Sequence, residues 1–303
     1  MKGLFLDANG ALADIFHKMQ TPSDPPIDVN LQEDIDPAEL AGLLAGYDFI
    51  LDDHTQLPTA VLARCKQLKH VIFLGTGARS YMNPEELAAL GITVHIIKGY
   101  GDIAVAEHAV ALMWQAARGV AFMDRSMRAG QWLRSEGMQL TGKTIGLIGF
   151  GGIAGEVARI AGGSGMRVLA WNRTAKTAPG VEFVTLDRLL AESHVISLHL
   201  LLNDETRGFI SAERIAAMRP GVLLVNTARG AVVDETAMVA ALQSGQIGHA
   251  ALDVFDVEPL PVPHTLTTLD NVTLSAHSAF RTPEANETLI RRALDIAQRV
   301  AAI

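Results

Sequence analysis

The sequence predicts an α/β protein with two domains, each built around a parallel β-sheet. At 303 residues the chain is long enough for two domains that each bury their own core. From Leu140 to Ala276, short apolar runs alternate with amphipathic stretches, which is typical of a parallel sheet wrapped by helices. A hydrophobic fraction of 49% with 19% charged residues excludes a disordered chain.

The larger predicted domain is a doubly wound sheet of six strands. One of its helices is expected over Gly152 to Ala161, because Ile153, Val157 and Ile160 recur there at helical spacing. The predicted strands are Thr144 to Ile148, Arg167 to Trp171, Val195 to Leu198, Gly221 to Asn226, Gly248 to Asp253 and Val272 to Ser275.

A second, smaller α/β unit is expected in the first part of the chain, where a helix opens after Leu57-Pro58. One long helical stretch, Asp102 to Met127, is expected to lead out of this unit. The last predicted helix, Pro283 to Ala301, is expected to return to it and make it discontinuous. Its predicted strands lie near Leu4, Phe49, Val71 and Val94, and the predicted domains are residues 1–98 with 281–303, and residues 99–280.

Composition argues against several function classes. The net charge of −8 disfavours general binding to nucleic acid or anionic membranes, which needs clustered Lys and Arg. Cys65 is the only cysteine, so no internal disulfide and no cysteine zinc site can form. The most apolar helix candidate, Ala104 to Ala117, is interrupted by Glu107 and His108 and does not reach the length of a membrane span. The segment Met1 to Asp7 lacks a secretory signal, and a cytoplasmic location is expected.

A glycine-rich turn follows the strand Thr144 to Ile148 and opens a helix. Its residues are Gly149-Phe150-Gly151-Gly152-Ile153-Ala154, a G-x-G-x-x-A run. Gly149 permits a tight turn, Gly151 lets the backbone approach a pyrophosphate, and Ala154 allows the helix to pack closely on the strand. The helix N-terminus attracts phosphates. Strand, turn, helix and second strand together predict a Rossmann-like dinucleotide site rather than a structural turn.

The end of the second strand indicates which nicotinamide cofactor is preferred. An NAD-preferring site has an acidic residue there, which accepts hydrogen bonds from the ribose hydroxyls. Here the chain reads Asn172-Arg173-Thr174 instead, and a guanidinium with a hydroxyl suits a ribose 2′-phosphate. We therefore expect a preference for NADP, with NAD possible. The alternative is that Arg173 is a solvated loop residue and the site is indifferent.

Three reactive residues follow the ends of later strands, where an open α/β sheet places its ligands. Arg229 can grip a carboxylate bidentately and polarise a carbonyl. His277 is the natural general acid, because imidazole titrates near neutrality. Glu258 would hydrogen-bond the ring, fix its tautomer and favour the imidazolium. Taken singly, Arg229 could form a surface ion pair, His277 could be a buried core histidine and Glu258 could be a loop charge. Because all three follow strand ends of one sheet, downstream of the nucleotide turn, together they predict reduction of a 2-keto acid.

These motifs resemble the D-isomer-specific 2-hydroxyacid dehydrogenase family over roughly Gly99 to Phe280, in its glyoxylate and hydroxypyruvate reductase-like branch. The resemblance implies a smaller, flavodoxin-like substrate domain, a homodimer and the stated roles of the catalytic trio. No metal site is expected. It also implies a substrate loop at Leu74 to Gly77, in which the backbone N–H groups of Thr76 and Gly77 bind the carboxylate. Cofactor contacts are implied at Gly152, Ile153, Asn172 to Thr174, Thr227, Ala228 and Asp253.

Three further features and one rival function are considered at the level of sequence. Asp52-Asp53-His54 could suggest a metal site, but a solvated strand end is favoured. For Glu107-His108 a structural role is expected. Trp132 could approach a partner subunit's substrate pocket or anchor an ordinary interface. The rival function is a nucleotide-sensing, corepressor-like binding protein, since such relatives retain this fold.

Overall fold

The computed structural model describes residues 1–302 and divides them into two compact units, Met1–Gly101 with Arg281 onward, and Asp102–Phe280. The smaller unit contains a five-stranded parallel sheet in the order β2-β1-β3-β4-β5, the strand order of flavodoxin-like folds. The strands are β1 (Gly3–Phe5), β2 (Ile27–Val29), β3 (Phe49–Asp52), β4 (His70–Phe73) and β5 (Thr93–Ile96). The intervening helices are α1 (Gly10–Met19), α2 (Pro37–Leu43), α3 (Thr59–Leu62) and α4 (Pro84–Ala89).

The larger unit contains a seven-stranded parallel sheet. Its helices are α5 (Asp102–Arg118), α6 (Val120–Arg128), α7 (Gly152–Gly163), α8 (Leu186–Glu192), α9 (Ala212–Ala216) and α10 (Glu235–Ser244). Its strands are β6 (Thr144–Ile148), β7 (Arg167–Trp171), β8 (Val181–Phe183), β9 (Val195–Leu198), β10 (Val222–Asn226), β11 (Ile247–Leu252) and β12 (Val272–Leu274). The last helix, α11 (Pro283–Ala301), belongs to the smaller unit and buries Leu289, Ile290 and Ala293 in its core.

Strand order explains where the larger unit can bind a ligand. The order is β12-β11-β10-β9-β6-β7-β8. After β6, the chain therefore adds β7 and β8 on one side of that strand and then β9 to β12 on its other side. The carboxyl ends of β6 and β9 flank the point where the order reverses, which is where open parallel sheets bind ligands. The turn that begins at Gly149 lies at this point.

The predicted fold class is confirmed, because both sheets are parallel and covered by helices. Three of the six strands predicted for the larger sheet have the predicted bounds, and three end or begin one residue away. The helical stretch predicted over Asp102 to Met127 is present, but it is divided into two helices. The helix ends at Arg118, because Gly119 adopts a left-handed backbone (φ 61°), and a second helix begins at Val120.

Two edge strands, β2 and β8, were missed. Each is three residues long with an acidic residue in the middle, so each lacks the apolar run that predicted β1 and β12, which have the same length. Within residues 1–302, no helix has both the length and the apolar character needed to cross a membrane. The assignment of substrate binding to the smaller unit and the cytoplasmic location stay predictions.

Candidate active site

The glycine turn after β6 has the backbone that a dinucleotide site requires. Gly149 is left-handed (φ 86°), and a Cβ added there would lie 2.6 Å from the carbonyl oxygen of His199. Gly151 is the N-cap residue of α7, and no side-chain hydrogen bond caps the helix there. A Cβ added at this position would meet open space. Ala154 is completely buried in the core. The first turn of α7 therefore presents N–H groups that no side chain caps, which suits a phosphate.

Gly152 and Ile153, the first two residues of α7, are fixed by close packing. A Cβ at Gly152 would lie 1.8 Å from Oδ2 of Asp102, so only glycine fits there. Ile153 is half-buried and packs against the core under the sheet. The backbone of both residues is thereby held at the helix N-terminus.

The turn after β7 is organised by Asn172. Its Oδ1 accepts from the Phe150 N–H at 3.1 Å, and its Nδ2 donates to the carbonyl oxygen and to Oγ1 of Thr174, at 2.9 and 3.0 Å. Asn172 therefore ties the glycine turn to the 172–174 turn. Arg173 is exposed and forms an ion pair with Glu205. Lys176, a residue the sequence reasoning missed, donates from Nζ to the Phe150 carbonyl oxygen at 2.5 Å.

The residues present fit a nicotinamide dinucleotide. The uncapped helix terminus and the glycine turn suit a pyrophosphate, and two cations, Arg173 and Lys176, lie beside the turn after β7. At the end of β10, the hydroxyl of Thr227 is buried and has no hydrogen-bond partner within the described residues. A buried hydroxyl without a partner is uncommon in folded proteins and suits a polar group supplied by a ligand.

Arg229 lies in a polar turn directly after β10. Asn226 shapes this turn: its Oδ1 accepts from the Ala228 N–H at 3.0 Å, and its Nδ2 donates to the Arg229 carbonyl oxygen at 2.9 Å. The guanidinium donates from Nη1 to the Ala228 carbonyl oxygen at 2.7 Å and is partly exposed. Gly230 packs so closely on Phe255 that a Cβ would lie 1.9 Å from its carbonyl carbon. This close packing joins the Arg229 turn to the segment that carries Glu258.

Glu258 and His277 form a hydrogen-bonded pair. Nδ1 of His277 lies 2.5 Å from Oε2 of Glu258, and the Phe255 N–H donates to Oε1 at 2.8 Å. Both side chains are about one-third exposed. Burial raises the pKa of the Glu258 carboxyl, but the hydrogen bonds from His277 and Phe255 and the charge of Arg229 hold that pKa below its usual value. Glu258 is thus a carboxylate at neutral pH, and its bond places the proton of the ring on Nδ1.

His277 is the only residue other than glycine with a positive φ (44°) within residues 1–302. Its N–H donates to the carbonyl oxygen of Asp253 at 2.8 Å. A histidine in this backbone region costs free energy and persists only where its surroundings hold it, and such residues cluster at functional sites. The left-handed backbone at His277 makes this turn a candidate functional site.

Thr76 and Gly77 lie in the smaller unit, after β4. Thr76 is exposed, Gly77 is partly exposed, and neither N–H donates a hydrogen bond to any part of residues 1–302. Two adjacent N–H groups without partners can hold a small anion.

The interpretation of Asp52-Asp53-His54 as a solvated strand end was wrong for Asp52, which is completely buried. Burial, together with the charges of Asp7 and Asp53, raises the pKa of Asp52 well above its usual value. Asp7 accepts from the backbone N–H groups of Asp53, His54 and Thr55. No group of three or more His, Cys, Asp or Glu residues in the described chain could hold a metal ion.

Comparison with known proteins bears on the larger unit in particular. Residues 110–279 match the family model described as D-isomer specific 2-hydroxyacid dehydrogenase, NAD binding domain. A hydroxypyruvate reductase from Thermotoga maritima is 37% identical over 84% of this chain and 84% of its own length. A D-3-phosphoglycerate dehydrogenase from Archaeoglobus fulgidus is 35% identical over 86% of this chain, but the match spans only 50% of that relative. The crystal structure of a glyoxylate reductase from Paecilomyes thermophila covers 97% of this chain, with a TM-score of 0.86 and 28% identity, and 93% of its own chain is covered.

Proposed function

The chain belongs to the D-isomer specific 2-hydroxyacid dehydrogenases, and we propose that it reduces a small 2-keto acid to the D-2-hydroxy acid with NADPH. The observation that carries the proposal is the Glu258–His277 pair on a strained turn, in the same unit as the dinucleotide turn and Arg229. Glyoxylate and hydroxypyruvate are the first substrates to test, because relatives with those names cover most of this chain.

The roles of the three residues follow from their chemistry. Arg229 binds the substrate carboxylate and polarises the adjacent carbonyl. His277 holds a proton on Nδ1 for Glu258, which leaves Nε2 to give a proton to the carbonyl oxygen. Glu258 orients the ring and balances the positive charge of the donating imidazolium. When bound, the cofactor supplies the hydride. In the smaller unit, the N–H groups of Thr76 and Gly77 are proposed to bind a substrate carboxylate.

The cofactor would be held by the two turns described above. Gly149, Gly151, Gly152 and Ile153 would contact the pyrophosphate, and Thr227, Ala228 and Asp253 would contact the nicotinamide side. Asn172, Arg173 and Thr174 would bind the adenosine ribose. Preference for NADP is supported by the absence of an acidic residue in this turn and by Lys176 beside Arg173. The ion pair with Glu205 must open for Arg173 to reach a 2′-phosphate.

A homodimer is proposed as well. Large apolar side chains are exposed on α6 and the segment after it: Val120, Met127, Trp132 and Leu133, with Trp132 72% exposed. A run of exposed apolar residues is typical of a surface that another chain covers. Analytical sedimentation is expected to give the mass of two chains. Trp132→Glu, which places a charge on this surface, is expected to shift the mass toward that of one chain.

The activity is tested by following NADPH and NADH oxidation with glyoxylate, hydroxypyruvate, pyruvate and phenylpyruvate in parallel. We expect turnover with at least one acid and a higher kcat/KM with NADPH. Comparable kcat/KM for the two cofactors would contradict the NADP preference alone. Tight cofactor binding without turnover of any acid would contradict the enzyme and favour the corepressor-like sensor.

A further inference from the structure

The turn that carries His277, residues 275–279, is held by one buried carboxylate. Oδ1 of Asp253 accepts from the Ser278 N–H at 3.0 Å, and Oδ2 accepts from the Ala279 N–H at 2.9 Å. The carbonyl oxygen of the same residue accepts from the His277 N–H. Because His277 has a left-handed backbone, the turn keeps its shape only while these bonds hold it. The position of the imidazole therefore depends on the position of Asp253.

His108, on helix α5, reaches this carboxylate through Ser275. Nε2 of His108 lies 2.9 Å from Oγ of Ser275, and the Ser275 hydroxyl donates to Oδ1 of Asp253 at 2.6 Å. A hydroxyl has a single proton. Since Ser275 gives its proton to Asp253, its oxygen accepts from His108, and the proton of that ring lies on Nε2. His108, Ser275 and Asp253 thus form one continuous chain of hydrogen bonds.

The charge at Asp253 makes this chain important. Its side chain is 1% exposed, and Nε2 of His108 also lies 3.4 Å from Oδ1. Burial raises the pKa of Asp253, but the hydrogen bonds from His108, Ser275, Ser278 and Ala279 together hold the pKa below its usual value. A buried carboxylate that loses a donor is destabilised and tends to move or take up a proton. Either change would loosen the turn that carries His277.

We propose that His108 is a positioning residue for His277, acting through Ser275 and Asp253. The proposal rests on the proposed role of His277 as the proton donor. Sequence reasoning expected only a structural role for His108, because a histidine inside an apolar helix shows no link to a strand end elsewhere in the chain. The link exists because α5 packs against the last three strands of the sheet, β10, β11 and β12.

Packing and positioning are separated by variants that keep the size of the side chain. His108→Leu removes the donor and keeps much of the volume, whereas His108→Gln keeps an N–H donor at the ε position. We expect His108→Leu to lower kcat on the order of 10-fold at saturating NADPH, with substrate KM within about twofold of wild type. Any rise in NADPH Kd, through the proposed contact of Asp253 with the cofactor, should be too small to account for this loss. His108→Gln should recover most of the loss. Glu107→Gln, at the exposed neighbouring position of α5, is the matched control and should not change kcat.

Ser275→Ala provides a second test with little risk to folding. It should lower kcat as His108→Leu does, and the double variant should be no slower than the slower single variant, because both break one chain. Additive losses, an unchanged kcat in His108→Leu, or a fall in NADPH affinity without a fall in kcat would overturn the proposal. His277→Ala is measured alongside: if it is inactive while His108→Leu is unchanged, only this inference fails. If His277→Ala is fully active, the proposed function fails.

Discussion

At the scale of single residues, the site depends on side chains whose hydrogen bonds leave one reactive atom available. Glu258 occupies Nδ1 of His277 and thereby leaves Nε2, the atom that we propose gives the proton. Asn226 bonds to both sides of the 226–229 turn and so fixes the backbone from which Arg229 projects. Each reactive residue therefore has a partner that fixes its position, a requirement for efficient proton transfer and substrate orientation.

Arg229→Lys is predicted to lower kcat and raise KM together. A lysine is a point charge and cannot bind a carboxylate with two parallel hydrogen bonds, so both binding and orientation suffer. We expect kcat/KM to fall about 10- to 100-fold in steady-state assays with the preferred acid. Arg219→Lys, at an exposed arginine of the same unit, should leave kcat/KM unchanged. An unchanged value for Arg229→Lys would remove Arg229 from the site.

Residue types at strand ends made Arg229, Glu258 and His277 predictable as candidates, because side chains at the carboxyl ends of parallel strands lie near one another. The partners were less accessible to sequence reasoning. His108 meets Ser275 across a sequence separation of 167 residues, and only the packing of α5 on the sheet brings them together. Asp52 read as an exposed polar residue, since nothing in its neighbours indicated that it would be completely buried.

At the scale of elements, the glycine turn depends on backbone conformation more than on side-chain chemistry. Gly149 combines a positive φ with close contact to the chain leaving β9, whereas a Cβ added to Gly155 in α7 would meet open space. The sequence could predict the strand, turn and helix because each has a strong local signal. The end of α5 at Gly119 was not predicted, because a single glycine within a long apolar pattern is a weak local signal.

Gly149→Ala is predicted to destabilise the larger unit and weaken cofactor binding. The left-handed backbone costs an alanine about 1–2 kcal/mol, and the new Cβ would press on the His199 carbonyl oxygen. Thermal unfolding and NADPH titration measure both effects. Gly155→Ala is the matched control, and it should leave stability equal or raise it by roughly 0.5–1 kcal/mol. Equal stability of the Gly149→Ala variant and wild type would contradict this account of the turn.

At the scale of the whole molecule, several buried or half-buried histidines make stability depend on pH. His249 on β11 is 7% exposed, and its Nε2 lies 2.9 Å from Oγ1 of Thr273. Burial and the charge of Arg125 lower the pKa of His249 to about 4. Burial also lowers the pKa values of His70, His95 and His194. As the pH falls below about 6.5, the unfolded chain takes up protons that the folded chain does not.

The contribution of these histidines to the free energy of unfolding should therefore be fully present above about pH 6.5 and be lost toward pH 4, whereas the raised pKa of Asp52 acts in the opposite direction. His249 alone contributes up to about 3 kcal/mol of this loss. His249→Gln removes that contribution, so its Tm should change less than that of wild type between pH 6.5 and 4.5. Thermal unfolding of both proteins across this range measures the difference. Parallel Tm curves for the two proteins would contradict the assignment to His249.

The division into two units was visible in the sequence as two blocks of α/β alternation, with a terminal helix returning to the first block. Its location could be estimated because the long helix after Gly101 and the segment before Pro283 interrupt the alternation. The substrate side chain could not be predicted, since the match to the motifs is weakest in the first 70 residues. The edge strands β2 and β8 could not be predicted either, because an acidic residue in the middle of each interrupts its short apolar pattern.

The central claim is that His277, held by Glu258, gives the proton in reduction of a 2-keto acid. The most direct measurement compares His277→Ala with wild type for kcat with the preferred acid and for NADPH Kd by fluorescence titration. We expect kcat to fall by about 100-fold or more, while Kd stays within about twofold. His17→Ala, an exposed histidine on α1, should match wild type in both. A normal kcat in His277→Ala, or a collapse of NADPH binding that explains the whole loss, would contradict the claim.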